Sequence, residues 1–468
     1  MTGIFLKKLI SWEGWKELGL AQLKIAAILL IAWFGNNWEP SYPRNDNKNP
    51  TMFWITNFLL VIGAIATMTT KSKPNRVVLL SREQTEEWKG WMQFAFIMYH
   101  YYRMHSVYNW IRVFVSSYVW MTGFGNFLYF DKTKDFSIKR VVSMVIRINY
   151  FPMLLAAAME VPLDLYYVVP LHTEGFFMTM ITCYVSYLME TKMNLSYNTS
   201  RISAILLSLL AHILFYETSA VQSLLFFSDE IHFRFQADKY SAWIGILCGF
   251  LMKNANQYMT WAYGGTLAAK HSPTVAAAAD EEAEQDHSNT SSNIMPLDRT
   301  LPKWIQRFLG VLLIAGWYFS YGQIEDKYTY NPVHPYIFVF PLLGWLMIRN
   351  SSKFLTETHS TLLEFLGQNT LETYVLQFHV FMNHNVQYIP VIIPGSDDKG
   401  NIYVRTLNML LCGSIFLVLA VFARKITVIT QTTAVNLVDT LQKPMDYMKA
   451  STNDNEQDEE TTECKDVK

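Results

Sequence analysis

The sequence predicts an all-α, polytopic transmembrane bundle of about ten to twelve spans, on three observations. Apolar residues make up 51% of the 468-residue chain and charged residues only 16%, well below the roughly 25% charged fraction of soluble domains. Aromatic content reaches 15%, with 14 Trp and 26 Tyr, the residue types that gather where hydrocarbon meets headgroup. Apolar runs of roughly bilayer-spanning length recur along most of the chain.

Taken in order, the first run covers 18–35 and has no small-residue cleavage site behind it, so it is expected to stay as a membrane anchor within an N-terminal segment, 1–49. Further runs lie at 52–70, 106–129, 141–159, 165–189, 202–217, 304–321 and 405–424. The segments near 88–103, 240–263, 334–349 and 361–385 are more polar. They are less clear as spans, but polar groups inside a membrane are costly and tend to face a bundle interior or a cavity, so their polarity is itself informative. Together 50–425 forms the multi-pass domain. A stretch from about Lys270 to Met295, rich in Ala, Asp, Glu, Ser and Asn, has too little apolar area to pack and reads as a disordered insertion. The C-terminal segment 426–468 ends in an acidic, Asn- and Thr-rich tail after Ala450 that is expected to be solvated and mobile.

Orientation follows from the basic residues. With the N-terminus cytosolic, nineteen Lys and Arg fall in loops on that side and six on the other, so both termini are expected in the cytosol. The Asn-x-Ser/Thr triplets at Asn194, Asn198, Asn289 and Asn350 then face the cytosol and should carry no sugar. A net charge of −1 gives no reason to expect nucleic acid as a partner. Cys183, Cys248, Cys412 and Cys464 show no metal or disulfide spacing and read as packing residues. The motifs show no internal repeat of the kind seen in many carriers.

Ser81-Arg-Glu-Gln84 matches a capping box, so a helix should start there and enter the membrane near Trp88. At 1.5 Å per residue, His100 then lies roughly 18 Å deep, past the midplane of a core about 30 Å thick. His172 lies about 10 Å from the opposite, lumenal surface, at a depth close to that of His100, so the two are expected to share one cavity. His379 sits in the same lumenal half, and Glu372, seven residues earlier, should share its helical face. A histidine can take the proton of an attacking hydroxyl, because its ordinary pKa of about 6.5 is near working pH.

Packing explains some of these groups equally well. A membrane histidine can simply hydrogen-bond a neighbouring carbonyl, and Arg112 and Arg147 can pair with phosphate or carboxylate groups or snorkel to an interface. His105, His212 and His384 read as structural, interfacial or loop residues, and Glu160 and Asp164 as solvated carboxylates in a lumenal turn. Asp229-Glu-Ile-His232 has the D-x-x-H spacing of esterase-type hydrolases, but no Gly-Asp-Ser nucleophile block occurs in the sequence to complete a triad. Three histidines on separate spans carry no zinc-ligand spacing, so no metal site is expected.

Several strings carry a resemblance: Leu80-Ser-Arg-Glu-Gln-Thr-Glu-Glu-Trp-Lys-Gly-Trp-Met-Gln93, Tyr99-His-Tyr-Tyr102, Arg112-Val-Phe-Val, Tyr118-Val-Trp-Met-Thr-Gly-Phe-Gly-Asn126, Arg147-Ile-Asn149, Pro170-Leu-His-Thr173, His232-Phe-Arg234, Asp238-Lys-Tyr240 and Leu366-Gly-Gln-Asn-Thr-Leu-Glu-Thr-Tyr-Val-Leu-Gln-Phe-His379. Over about residues 50 to 425 the chain resembles the capsule-structure and reduced-wall-acetylation family of multi-pass O-acetyltransferases. The resemblance implies a Golgi or other endomembrane protein that takes acetyl from acetyl-coenzyme A, as co-substrate and with no bound cofactor, and serves O-acetylation of a glycan or polysaccharide. Sialate O-acetyltransferases and capsule enzymes of that family carry an extra lumenal esterase-like domain with a Gly-Asp-Ser block. The plant wall-acetylation members do not, and this sequence likewise contains no such block.

On this reading His100 is the expected base. His172 shares its proton or orients the acyl carbonyl, and His379 with Glu372 shapes the cavity wall. Arg112, Arg147, Asn126, Arg234 and Asp238 are further binding or structural positions. The rival readings are a carrier that delivers the acetyl donor to a separate lumenal acetyltransferase, with Arg112 and Arg147 as clamps, and a non-catalytic membrane scaffold.

Overall fold

A computed structural model describes residues 13–70, 79–218, 229–262 and 300–463. The Lys270–Met295 insertion and Asn289 lie outside the described residues. Helices dominate, and they run back and forth between two ends. One end holds Arg82 and the 350–360 connection; the other holds Tyr101 and the 382–401 connection. Among the described residues four helices are long and apolar enough to cross a membrane on length and composition alone: Trp15–Asn36, Ile138–Met159, Tyr197–Glu217 and Ile402–Gln442, the last within a helix that runs to Glu463. The sequence after Ala450 therefore continues a helix where composition predicts irregular chain.

Two helices that bury many polar side chains stand inside this apolar set. Helices α1 (Arg82–Tyr101) and α2 (Tyr108–Thr133) bury Gln84, Glu87, Gln93, Asn109, Arg112, Ser116, Ser117 and Asn126. Leu206, Leu207, Leu210 and Leu214 on the 197–217 helix, and Trp54, Phe58, Leu59 and Ile62 on the 50–66 helix, point outward. Such a division suits a hydrocarbon surround, in which polar groups must find partners within the protein.

Sequence signals set the start of α1. Ser81 Oγ accepts from the Gln84 backbone N–H, and Gln84 returns a bond to the Ser81 N–H at 3.2 Å. Helix α1 then packs closely on α3 (Thr361–Gln368) because two glycines face each other. A Cβ on Gly90 would overlap the Leu363 carbonyl, and one on Gly367 would overlap that of Glu86. Close backbone approach through small residues is a common way for membrane helices to associate.

Two predicted spans are broken. The run near 334–349 forms α4 (Lys327–Ile337) and α5 (Val339–Arg349), with Pro332 and Pro335 inside the first. The run near 361–385 forms α3, α6 (Thr370–Leu376) and a π-helical turn at Gln377–Phe381. Two short antiparallel sheets clip the ends: Ser41–Pro43 pairs with Tyr388–Pro390, and Met68–Thr70 with Thr358–Ser360.

Buried charges are paired. Glu87 accepts from Arg349 Nε at 3.1 Å and Nη2 at 3.0 Å, and from the Ser360 N–H at 2.7 Å, which ties the Arg82 end together. Arg112 Nη2 meets Asp238 at 2.6 Å, and the other Asp238 oxygen accepts from Ser116 Oγ at 2.5 Å. His334 bridges Ser116, at 2.7 Å, and Tyr330, at 2.9 Å.

Candidate active site

One face of α1 carries Arg82, Thr85, Lys89, Gln93, Phe96 and His100, spaced three and four apart. Residues at that spacing line up along a helix, so this stripe runs about 27 Å, nearly the thickness of a hydrocarbon core. A matching stripe on α2 carries Tyr108, Ile111, Val115, Tyr118, Thr122 and Asn126. Two cavities lie along these stripes.

The first cavity, at the Tyr101 end, holds about 630 Å³. His100 borders it among Tyr99, Tyr108, Tyr167 and Phe378, with Arg112, Arg234, Asp164 and Lys327 supplying charge. The His100 ring sits edge-on to Phe96 and Tyr99, at 4.7 and 4.9 Å between centroids. Its nitrogens make no hydrogen bond to another described residue and are free to engage a guest. Arg112 Nη1 donates to Tyr167 Oη at 3.2 Å, and the Arg234 guanidinium lies over the Tyr167 ring at 5.0 Å.

The second cavity, toward the Arg82 end, holds about 290 Å³ and is bordered by His172, Thr122, Asn126, Gln93, Lys89 and Arg147. His172 lies on α7 (Val168–Lys192), and its Nδ1 is held by Thr122 Oγ1 at 2.5 Å. Nε2 is thereby the nitrogen available to the cavity. Asn126 receives a bond from Arg140 at 3.0 Å and gives one to the Thr122 carbonyl at 2.9 Å, which fixes the α2 wall.

Both cavities share Phe96, Val115 and Tyr374. His100 and His172 therefore do not share one cavity, as residue counting predicts; they face two chambers set end to end, with a layer of side chains between. Counting along a helix gives depth but not what stands between two helices at that depth.

Other expected positions also move. His379 and Glu372 do not form the cavity wall; Leu371, Tyr374 and Phe378 do. His379 is fully buried, with Nδ1 2.9 Å from Asn36 Oδ1 and Nε2 against Tyr166 Oη. The π-turn at 377–381 breaks the regular helix on which the seven-residue spacing relied. Glu372 is also fully buried and takes Arg147 Nη1 at 2.5 Å, so it acts on the second cavity only through that arginine. Asp238 is buried behind Arg112 and borders neither cavity. No group of three or more His, Cys, Asp or Glu suited to a metal ion occurs among the described residues.

Sequence reading missed Thr122, Phe96, Tyr374, Gln93 and His334. Its available signal was the three-and-four spacing on α1 and α2, which puts Phe96 on the stripe of His100, and Thr122 on that of Val115. His334 had no such signal, because the Pro-broken α4 obscures which face is buried.

The geometry offers a hydroxyl-sized guest a histidine on one side of an aromatic wall, and a second guest a histidine on the other. The chain is 27% identical over 384 residues to N-acetylneuraminate (7)9-O-acetyltransferase of Danio rerio, an alignment covering 78% of this chain and 44% of that protein. The chain thus spans less than half the length of that relative. No solved structure matches it. The family model of the 10 TM acyl transferase domain found in Cas1p matches residues 15–445. With nearly the whole helical bundle inside that match, the chain belongs to the family of membrane proteins built on this acyl transferase domain.

Proposed function

We propose that the protein is a trans-bilayer O-acetyltransferase, in which acetyl-coenzyme A enters the second cavity from the cytosol and a glycan hydroxyl enters the first cavity from the lumen of the Golgi or a related endomembrane. The observation that carries this reading is the end-to-end pair of chambers with a histidine in each and Phe96, Val115 and Tyr374 between them. The aromatic lining of the first chamber suits the apolar faces of a sugar, and its charged groups suit the hydroxyl edges. The name of the Danio rerio relative, an N-acetylneuraminate (7)9-O-acetyltransferase, points the same way.

In the proposed reaction the acceptor hydroxyl approaches the thioester carbonyl at the shared wall. The new C–O bond forms as the C–S bond breaks. His100 takes the hydroxyl proton and returns it to solvent as coenzyme A departs as the thiolate, while His172, whose ring Thr122 orients, donates a hydrogen bond from Nε2–H to the acyl carbonyl. Holding two substrates from opposite sides supplies the proximity that the step needs. Passing acetyl to a separate lumenal acetyltransferase would use the same path, with the partner's acceptor at the first cavity.

The test is to supply purified protein with radiolabelled acetyl-coenzyme A and candidate glycans. Labelled glycan with equimolar free coenzyme A, lost in folded His100→Ala and His172→Ala, is the expected result. Wild-type transfer by folded His100→Ala would remove that residue from the mechanism. Donor uptake into sealed vesicles without release of coenzyme A would replace the enzyme with a carrier.

A further inference from the structure

The second cavity adjoins a third, polar chamber of about 400 Å³ at the Arg82 end, and Lys89, Arg147 and Gln368 border both. Arg82 and Arg424 complete its basic side, and Glu83, Glu86 and Glu364 also border it. The acidic groups are partly occupied: Glu86 holds Lys89 at 2.7 Å and Glu364 holds His359 at 3.0 Å. Arg147 is taken by the buried Glu372. Among the described residues Arg82 and Arg424 have no carboxylate partner; Arg424 meets only the Gln368 side-chain oxygen, at 3.1 Å. Arg147 and Arg82 lie close enough for their charges to act on Arg424, as do Glu372 and Glu86. Guanidinium groups crowded in this way, two of them without a carboxylate in direct contact, make a receptor for organic phosphate, which guanidinium matches in charge and geometry.

The chamber also lies at a telling distance from the proposed chemistry. Fourteen residues of α1 separate Arg82 from Phe96, about 21 Å along the helix. A donor with phosphates at one end and its thioester on a long flexible arm fits that interval. We propose that this chamber binds the nucleotide phosphates of the acyl donor, with Arg82 and Arg424 as the primary contacts and Lys89 and Arg147 beside them, while the arm reaches through the second cavity toward His172. The proposal rests on the acyl-transfer reading above and adds where and by which groups the donor is held.

Phosphate could instead arrive on a lipid headgroup, so the experiment separates the sources. Binding of adenosine 3′,5′-bisphosphate is measured on the full-length protein in nanodiscs of phosphatidylcholine, and again with phosphatidylserine added. Expected are saturable binding in both discs and at least a tenfold loss in Arg82→Gln and in Arg424→Gln, with Arg424→Lys between. Ligand-free melting temperatures of the variants should match wild type, so the loss is not one of folding. Absence of binding, equal affinity in the Gln variants, or abolition by phosphatidylserine would overturn the proposal. Turnover keeps the two readings apart. Arginine-dependent binding without acetyl transfer in wild type retains the phosphate site and overturns the enzyme reading. Acetyl transfer with arginine-independent binding does the reverse.

Discussion

Phe96 and Tyr374 face each other with ring centroids 5.9 Å apart, and each ring borders both main cavities. They come from helices far apart in the chain, and together with Val115 they form the border that the two cavities share. On the proposed reading thioester and hydroxyl meet at this shared border, and its rings exclude water from them.

The first prediction concerns that wall. Phe96→Ala should join the chambers and admit water, so free coenzyme A is released in excess of acetylated glycan. Phe96→Trp should instead slow both in step. The ratio of the two products, measured against wild type, decides it; a ratio of one in Phe96→Ala would mean that the ring does not separate the chambers.

Thr122 should act through His172. Removing its hydroxyl in Thr122→Val frees the imidazole to turn, and misplacement of a reacting group on this scale costs about 10- to 100-fold in rate. Thr122→Ser keeps the oxygen and should retain most of the activity. The loss should fall on kcat with KM for acetyl-coenzyme A little changed, whereas equal losses in Ser and Val variants would assign Thr122 to packing.

Arg112 and Asp238 carry a stability prediction. Arg112→Met leaves a buried carboxylate without its cation and should cost about 3 to 5 kcal/mol. Pairing it with Asp238→Leu should recover most of that, because replacing both members of a buried pair by apolar groups is often neutral. Unfolding in mild detergent gives the comparison; a double variant no more stable than Arg112→Met would show that Asp238 is held by other groups.

His105 provides a pH test at the mouth of the first cavity. Burial lowers its pKa from 6.5, and Arg103, Arg44, Lys48 and Lys327 push the same way. The folded protein therefore binds this proton less readily than the unfolded chain. The associated stability is whole above about pH 6.5 and declines as pH falls through that value toward the folded pKa. Melting temperature between pH 7.5 and 5.5 should drop more for wild type than for His105→Gln.

Orientation is tested through the Asn-x-Ser/Thr triplets. With both termini cytosolic, as the basic loops predict, Asn194 and Asn198 stay unmodified in native membranes. Glycosidase-sensitive sugar on either would invert the assignment of donor and acceptor sides.

The sequence alone determined the helical membrane class, the capped start at Ser81 and the polar character of the helix that follows it. These are local or compositional properties: a capping box acts over four residues, and a polar residue in an apolar run declares its cost wherever its partner sits. Only the tertiary structure decided that His100 and His172 face separate chambers, that His379 and Glu372 are anchors behind the wall, and that Arg424 joins Arg82 342 positions away in sequence. Helical spacing fixes which residues share a face, but the neighbour that face meets is set by packing. Here that packing turns on the Gly90 and Gly367 backbone contact and on a π-turn at 377–381, and neither follows from the period of a single helix.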